Sequence, residues 1–329
     1  MPEILADKIP RHAAPFKTPI LFILFNRPDT TQRVFNEIRN VHPKKLFVVS
    51  DGARNEEEKK LVEKTRKIIN QIDWDCEVHK NYSDKNLGCK IRVSSGIDWF
   101  FKNVEQGIIL EDDCLPSESF FRFCEELLER YANNEKIMHI SGNFFQQQNK
   151  NFKFSNSYYF SILPHMWGWA TWRRAWKHYD VNIKSWPEVK KSGRLAQVFN
   201  NQGVYDHWSY VWDRYHKKIK NSWDGQWAFS CIANNGVCIN PIINMVSNIG
   251  FGSNATHTKE STWVANLPTQ EMVFPLVHPT EIIVNHQADA FTFRNVLNID
   301  KKLLHRIVRP LKTAFPGLYQ KIKRLFGKQ

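Results

Sequence analysis

The chain lacks any arrangement of cysteines that would build a disulfide framework or a zinc site. Its six cysteines, spread over 329 residues, include no C-x-x-C pair and show no regular spacing. Cysteines with this distribution are typically reduced and buried. The sequence therefore excludes the class of small disulfide-stapled proteins and indicates a reducing compartment.

Long apolar runs are also missing. No stretch approaches the roughly 20 apolar residues that a membrane-spanning helix requires. The N-terminal segment MPEILADKIPRHAAPFKT carries acids and prolines in place of the apolar core of a secretory signal. We therefore expect a cytoplasmic protein.

Acidic residues are absent from the end of the chain. Residues 301–329 hold nine Lys or Arg and no Asp or Glu, so this segment supplies most of the net charge of +13. Because the charge is concentrated there, it does not indicate a nucleic-acid surface on the fold, and we expect no nucleic-acid partner. The apolar residues of the segment recur at helical spacing, which is typical of amphipathic helices on an anionic membrane face. A helix packed on the core with a solvated basic face is the alternative.

Short apolar runs alternate with helical patterns in the first part of the chain. Strands are predicted at 19–25, 45–50, 76–79 and 107–110, and helices at 29–39, 56–71 and 89–102, with Asp29 or Thr30 as the first cap. A helix over 117–131 and a strand over 136–141 continue the pattern. This alternation predicts an α/β fold with a mixed, mainly parallel sheet and helices on both faces.

Polar side chains follow three of the predicted strands. Asn26 and Arg27 follow the first strand, Asp51 follows the second, and Glu111-Asp112-Asp113 follow the fourth. Ligands of parallel sheets bind at the carboxyl ends of the strands, so we expect these clusters to converge on one cleft. Three carboxylates without a nearby His or Cys favour Mg²⁺ or Mn²⁺, held in part by a substrate phosphate. A solvated turn before a helix is the alternative, but the buried strand before the acids argues against it.

Four segments in this order resemble the nucleotide-sugar half of a GT-A glycosyltransferase, a Rossmann-like fold. They are LFNRPDTTQRVF (24–35), VVSDG (48–52), NLGCKIRVSSGIDWFF (86–101) and IILEDDCLPSESFFRF (108–123). Within that fold the chain is most similar to the N-acetylglucosaminyltransferase I-like group, whose metal motif is also EDD and whose bacterial members have been labelled hemolysin-like. LPHMWGWATWRRAW (163–176) and SWDGQW (222–227) resemble the acceptor-side segments of that group. The resemblance covers about residues 18–258.

The resemblance implies a role for each matching residue on the donor side. Asn26 and Arg27 would lie beside the nucleotide, Asp51 would face the base, and Arg92 would approach the diphosphate. A further candidate, His257, follows a glycine-containing loop and would reach the metal or the diphosphate. The alternative for His257 is a loop histidine bonded to backbone.

The same resemblance implies roles for the acids. Asp113 is the expected metal ligand, while Glu111 and Asp112 would contact the ribose and the sugar. Asp224 in SWDGQW occupies the place of the catalytic base, with Trp223 and Trp227 as a partly dry wall beside it.

The base motif departs from the family pattern at one position. The family has a second acid where this chain has Gly225. Asp206 and Asp213 therefore stay open as alternative bases. Gly168-Trp169 would shape the floor under the donor sugar, although an aromatic core helix explains WGWATW as well.

Together these features predict the organisation of the chain. We expect a leader at 1–17, a nucleotide-sugar-binding half at 18–142, an acceptor-binding half of the same domain at 143–299, and a basic amphipathic tail at 300–329. The second half is rich in Trp, Tyr, Phe and His, whose rings stack on sugars.

The resemblance implies a metal-dependent inverting glycosyltransferase. It would move a sugar from a nucleotide-diphosphate donor, with a UDP-sugar favoured, to a cell-surface glycan or glycolipid such as a polysaccharide or lipopolysaccharide. The tail would hold the enzyme peripherally on the inner membrane face. A sugar nucleotidyltransferase is an alternative, but it normally needs a glycine-rich loop after the first strand. A non-enzymatic membrane-surface binding protein is another, and it leaves the acids unexplained.

Overall fold

Strands and helices alternate from residue 20 onward, as the apolar pattern predicts. The computed structural model describes residues 16–251 and 263–299. Its first elements are β1 (Ile20–Leu24), α1 (Pro28–Val41), β2 (Lys45–Ser50), α2 (Glu56–Lys67, continued by a 3₁₀ turn at Ile68–Gln71), β3 (Glu77–Tyr82), α3 (Gly88–Asn103) and β4 (Gln106–Glu111).

The later elements are shorter and more varied. They are β5 (Cys114–Pro116), α4 (Glu118–Arg130), β6 (Ile137–Ser141), β7 (Tyr158–Ser161), β8 (Trp169–Trp172), α5 (Arg173–Trp176), α6 (Trp186–Ser192), α7 (Arg194–Phe199), α8 (Gln202–His216), α9 (Asp224–Ala233), β9 (Val237–Pro241), β10 (Val246–Asn248) and α10 (His286–Phe291, continued by a π-helical turn at Thr292–Val296).

Eight strands of the described chain form one sheet, in the order β3-β2-β1-β4-β8-β6-β9-β7. Strands β3, β2, β1 and β4 are parallel to their neighbours. Strand β8 runs antiparallel between β4 and β6, β9 is parallel to β6, and β7 is antiparallel to β9. The prediction of a mixed, mainly parallel α/β sheet is confirmed. Whether the two halves divide at residue 142 stays a prediction.

Helices cover both faces of the sheet because successive strand residues point to opposite sides. Phe22 of β1 belongs to the same buried cluster as Phe35 of α1. The next residue, Ile23, belongs to a second buried cluster with Val93 and Ile97 of α3. Residues 20–24 are buried throughout, which explains why β1 reads as a continuous apolar run. A third cluster lies among α6, α8 and α9, where Trp and Phe rings pack edge to face.

Two local expectations need correction, and one strand was missed. Helix α1 begins at Pro28, with Arg27 rather than Asp29 or Thr30 at the cap, because proline at the first helical position has no N–H to lose and already has a helical φ. The WGWATW segment contains strand β8 and not a helix, since its backbone pairs with β4 and β6. Strand β5 was missed because its antiparallel partner β10 lies far along the chain.

The six cysteines are free thiols, as predicted. Among the residues that the structure describes, no helix combines the length and the apolar character needed to cross a bilayer. Most of the predicted leader, His257 and the basic tail lie outside the described residues, so those predictions stay as they are.

Candidate active site

The ends of three neighbouring strands meet at one cavity of about 600 Å³. Arg27 follows β1, Asp51 follows β2, and Glu111-Asp112-Asp113 follow β4, and all of them line the cavity. Their convergence follows from the strand order, because β2, β1 and β4 are adjacent and parallel. Arg92 of α3 lines the same cavity.

The three acids occupy the turn that leads from β4 to β5. The backbone N–H of Phe25 donates a hydrogen bond to Oδ2 of Asp112 at 3.0 Å. Desolvation, and then repulsion from the neighbouring carboxylates, raises the pKa of Glu111 to about 8. Desolvation likewise raises the pKa of Asp112 to about 7, even though Arg27 opposes the shift. Burial therefore disfavours the charged form of both carboxyls, and a positive charge placed beside them would favour it.

Arg27 is the cation that faces these acids. Its Nη1 lies 2.5 Å from Oδ2 of Asp113 and 3.8 Å from Oδ1 of Asp112. Burial by itself would lower the pKa of Arg27, but the two aspartates more than offset this and raise it above its ordinary value. Arg27 thus carries its charge permanently and partly neutralises the turn.

Gly250 is a site residue that the sequence analysis missed. A Cβ atom at this position would lie 2.2 Å from Oδ2 of Asp113 and 2.8 Å from Nη1 of Arg27. The backbone reaches the acids because β10 pairs with β5, and Ile249 donates its N–H to the carbonyl of Asp113 at 2.8 Å. The only available signal was a glycine shortly after a short strand, far from EDD in the sequence.

The donor atoms of the cavity suit a hard cation that is bound largely by its substrate. Among the described residues no three His, Cys, Asp or Glu side chains are arranged to hold a metal ion by themselves. Mg²⁺ and Mn²⁺ often bind through one or two carboxylates, with phosphate oxygens and water completing the shell. Asp113 lines the cavity, and its Oδ2 already faces a cation, the Arg27 guanidinium.

Asp51 holds the start of α3. Its Oδ1 accepts from the N–H groups of Gly52 and Leu87, and its Oδ2 accepts from the N–H of Gly88, each at 2.9 Å. Asp51 is buried and still lines the cavity. It therefore couples the end of β2 to the position of α3, a role that the base-facing prediction did not include.

Arg92 is presented by the first turns of α3. Its Nη2 donates to two oxygens of Asn81, the backbone carbonyl oxygen at 2.5 Å and Oδ1 at 2.9 Å. Its Nε is buried and makes no hydrogen bond within the described chain. Burial lowers the pKa of Arg92 from its ordinary value, yet the group stays charged at neutral pH. The cavity wall thus contains a buried cation with an unused donor.

Asn26 is the predicted donor-side residue that the structure does not bring to the cavity wall. Its Nδ2 donates to Oε1 of Glu58 on α2 at 2.9 Å. Glu58 is in turn held by Arg54, which lines the cavity and was not singled out from the sequence. Asn26 therefore supports the wall through Glu58 and Arg54.

Asp224 stands where the first cavity meets a second one of about 760 Å³. It is the first residue of α9, and it lines both cavities. Its Oδ1 accepts hydrogen bonds from the hydroxyl groups of Ser222 and of Tyr215, the latter at 3.1 Å. The other carboxylate oxygen, Oδ2, makes no hydrogen bond to the described residues.

The two alternative bases lie elsewhere. Asp213 accepts from Nε1 of Trp186 at 2.9 Å and from Nζ of Lys190 at 2.7 Å. Asp206 is exposed and accepts from Gln202 on the same helix. Neither of them lines a cavity with Asp224. Of the three acids, Asp224 is thus the one that lines the two cavities.

Gly225 has a steric explanation. A Cβ atom at this position would lie 2.2 Å from Cε2 of Tyr215 and 2.6 Å from its hydroxyl oxygen. The ring that orients Asp224 therefore occupies the space that a second acid would need. The absence of a second acid after Asp224 is therefore explained by this packing.

The tryptophans around Asp224 divide into cavity and core. Trp223 lines the first cavity and stacks on Trp169, with ring centroids 5.8 Å apart. Trp227 does not line it, because it is fully buried and its Nε1 donates to Nδ1 of His139 at 3.1 Å. Trp169 also lies beneath the surface, and Met166 and Trp167 line the cavity in its place. The expected aromatic wall is thus made by Trp223 and Trp167.

Comparison with known proteins shows only distant similarity. No family model matches the chain, and no curated protein has a matching sequence. Among the solved structures that are similar to parts of the chain are the following three. Mouse xyloside xylosyltransferase 1 in its apo form is 13% identical, with 66% of this chain and 82% of that chain covered and a TM-score of 0.33. A UDP-glucose pyrophosphorylase in complex with UDP-glucose is 10% identical, with 44% and 66% covered and a TM-score of 0.27. The 4-diphosphocytidyl-2C-methyl-D-erythritol synthase of Anaerococcus prevotii is 9% identical, with 48% and 72% covered and a TM-score of 0.29. Similarity of this size supports no conclusion about activity.

Proposed function

We propose that the protein is a metal-dependent inverting glycosyltransferase that takes a sugar from a nucleotide-diphosphate donor, with UDP-sugars favoured. One observation carries the proposal: Asp224 stands at the junction of two cavities, one lined by three acids and Arg27, the other lined largely by aromatic and apolar side chains. A transferase needs two adjoining sites with a base between them. The fold alone would not support this activity, since the same architecture serves many.

The first cavity would hold the donor. Arg27 and Arg92 supply positive charge for a diphosphate, and Asp113 would hold Mg²⁺ or Mn²⁺ together with the phosphate oxygens. When bound, the metal ion would offset the negative charge of the departing nucleoside diphosphate. Glu111 and Asp112 would contact the sugar and ribose hydroxyls.

Asp224 would act as the base toward an acceptor hydroxyl. Ser222 and Tyr215 both donate to Oδ1, so Oδ2 is the oxygen that can accept the proton of the acceptor. The acceptor oxygen would then attack the anomeric carbon from the side opposite the diphosphate. As the new carbon–oxygen bond forms, the bond to the diphosphate breaks, and the configuration at that carbon inverts.

Isothermal titration with UDP, GDP and CMP, each with and without Mn²⁺, tests the donor site. We expect UDP to bind more tightly with Mn²⁺, and we expect Asp113→Ala to remove the metal dependence. Asp206→Ala is the matched control, because Asp206 is an exposed aspartate outside both cavities. The proposal would be contradicted if no nucleotide bound, or if nucleotide affinity were the same with and without Mn²⁺ and in Asp113→Ala.

Sugar nucleotidyltransfer is the competing activity on such a fold. That chemistry normally uses a glycine-rich loop after the first strand to hold the triphosphate. Here β1 ends at Leu24, α1 begins at Pro28, and no glycine lies between them. Incubation with UTP and a sugar phosphate, with detection of released pyrophosphate, separates the two activities. We expect no pyrophosphate.

For the acceptor we propose a cell-surface glycan or glycolipid. The second cavity supports a sugar ligand, because it includes the rings of Phe145, Trp167 and Trp208 and open donors and acceptors beside them. A membrane-borne acceptor would also explain the basic segment 301–329, since such segments bind anionic lipid surfaces and would hold the enzyme near that acceptor.

A further inference from the structure

The second cavity contains cationic side chains that no described acid neutralises. Arg214 and Lys220 line it, and within the described residues neither forms a salt bridge. Both side chains lie against aromatic rings: the guanidinium carbon of Arg214 is 5.7 Å from the Tyr210 ring centroid, and Nζ of Lys220 is 4.8 Å from the Tyr215 ring centroid. The one carboxylate in this wall is Asp224.

The position of these cations follows from the helix that carries one of them. His207, Val211 and Arg214 of α8 all line the cavity, and their i, i+4, i+7 spacing places them on one face of the helix. Arg214 lies in the last turn of that face. The chain then folds back, since the N–H of Lys220 donates to the carbonyl of Arg214 at 3.2 Å. Lys220 lines both cavities, as Asp224 does, and Arg214 lines the second cavity from the adjoining end of α8.

The rest of the wall suits a hydroxylated ligand. Nε1 of Trp208 and Oδ1 of Asn143 are buried and make no hydrogen bond to any described residue. Both residues line the second cavity. An indole donor and an amide acceptor beside aromatic rings are groups that a sugar can use.

We propose that the second cavity selects an acidic acceptor, a sugar that carries a phosphate or a carboxylate group near the hydroxyl that reacts. Arg214 binds the anionic group, and Lys220, which also lines the first cavity, adds positive charge at the junction. The planar guanidinium of Arg214 can pair with either anion through two parallel hydrogen bonds. This proposal rests on the function proposed above, because it assigns the acceptor class of the same enzyme.

Binding of three small probes tests it on the full-length protein with UDP and Mn²⁺ present. The probes are glucose 6-phosphate, glucuronic acid and methyl glucoside, measured by titration or by saturation-transfer NMR. We expect at least one acidic probe to bind about tenfold more tightly than methyl glucoside, since a charge-assisted pair adds roughly that factor. Preference between the first two probes identifies the anion as phosphate or carboxylate.

Arg214→Gln provides the decisive variant, and Lys217→Gln is its matched control. Lys217 is an exposed cation next to the same helix end and lines neither cavity. We expect Arg214→Gln to remove the preference for the acidic probe while the affinity for UDP stays unchanged, and Lys217→Gln to preserve both. Equal binding of acidic and neutral probes would overturn the proposal. It would also be overturned if the Arg214→Gln variant kept the preference for the acidic probe, or if it lost affinity for UDP instead.

The UDP titration keeps the two proposals separate. If UDP binding and its dependence on Asp113 hold while the acidic preference is missing, only the acceptor class is wrong. If UDP itself does not bind, the function proposed above fails.

Discussion

At the scale of single residues, Asp224 is distinguished by its surroundings and not by its residue type. Asp206 and Asp224 are both exposed and Asp213 accepts from Trp186 and Lys190, but of these three acids Asp224 is the one that lines the two cavities. The hydrogen bonds from Ser222 and Tyr215 both end on Oδ1 of Asp224. The other oxygen, Oδ2, makes no hydrogen bond to the described residues, which suits the general base that we propose.

We predict that Asp224→Asn lowers the rate of sugar transfer by about 10² to 10⁴, because general base catalysis typically contributes that factor. UDP affinity should change little, since the amide keeps the shape of the side chain. The measurement is release of UDP from a UDP-sugar with acceptor, beside direct titration of UDP. Asp206→Asn serves as the control and should retain full activity. If Asp224→Asn transfers sugar as fast as the wild type, Asp224 is not the base.

Gly225 gives a second residue-scale prediction, this time about stability. We expect Gly225→Ala to lower the free energy of unfolding by about 1–3 kcal/mol, because the added methyl overlaps the Tyr215 ring. Urea unfolding measures the change. The combination with Tyr215→Ala should cost less than the sum of the two single changes, since truncating the ring opens the space. Strict additivity would show that the contact is not the cause.

At the scale of elements, the active site is assembled from chain segments that end at the same sheet edge. Asp51 ties the end of β2 to the start of α3 through the backbone amides of Leu87 and Gly88, and α3 then presents Arg92 to the cavity. The short β5–β10 ribbon brings Gly250 against Asp113. These connections explain how segments from both halves of the chain line one cavity.

The far end of the sheet is fixed by α10, and this contact should depend on pH. Asp289 of α10 is buried, accepts from the hydroxyl of Ser161 at 2.5 Å and from the N–H of Ile162 at 3.3 Å, and burial raises its pKa to about 7 despite both bonds. Between the unfolded pKa of about 4 and pH 7, the folded protein keeps the proton that the unfolded chain loses. The contribution of this group to stability therefore falls as pH rises through that range.

We expect Asp289→Asn to remove this contribution, because the amide imitates the neutral acid at every pH. The difference in unfolding free energy between variant and wild type should grow in favour of the variant by up to about 1.4 kcal/mol per pH unit between pH 5 and 6. Urea unfolding at several pH values measures it. A difference that is constant with pH would mean that Asp289 is already ionised in the fold.

At the scale of the whole molecule, the two cavities and the basic tail point to different ligands. The first cavity combines acids with arginines, and the second combines rings with Arg214 and Lys220. The tail carries most of the net charge outside the described residues. A transferase working on a membrane-borne acidic glycan would use all three.

Deletion of residues 301–329 tests whether the tail binds the membrane. We expect the shortened chain to lose binding to vesicles that contain anionic lipid, since each Lys or Arg near such a surface adds about 1 kcal/mol. UDP titration is the internal control and should be unchanged. Vesicle flotation with anionic and with neutral lipid measures the effect. If the shortened chain still binds anionic vesicles, the membrane contact lies in the body of the protein and not in the tail.

The sequence by itself determined the order of the first elements and the polar clusters at the ends of β1, β2 and β4. These features are local, because apolar periodicity and the residues that follow a strand can be read within a short window. Strand adjacency then follows from the parallel α/β pattern, which is why one cleft was predicted for Arg27, Asp51 and the three acids.

Only the tertiary structure decided which groups touch across long distances in the chain. The Arg27–Asp113 pair, the approach of Gly250 and the second cavity join segments that carry no signal of each other. The same holds for Gly225, whose missing side chain appears as a broken motif in sequence and as space for the Tyr215 ring in the fold. The physical reason is that close packing is set by the neighbours that the fold supplies, while pattern and propensity report only on the local chain.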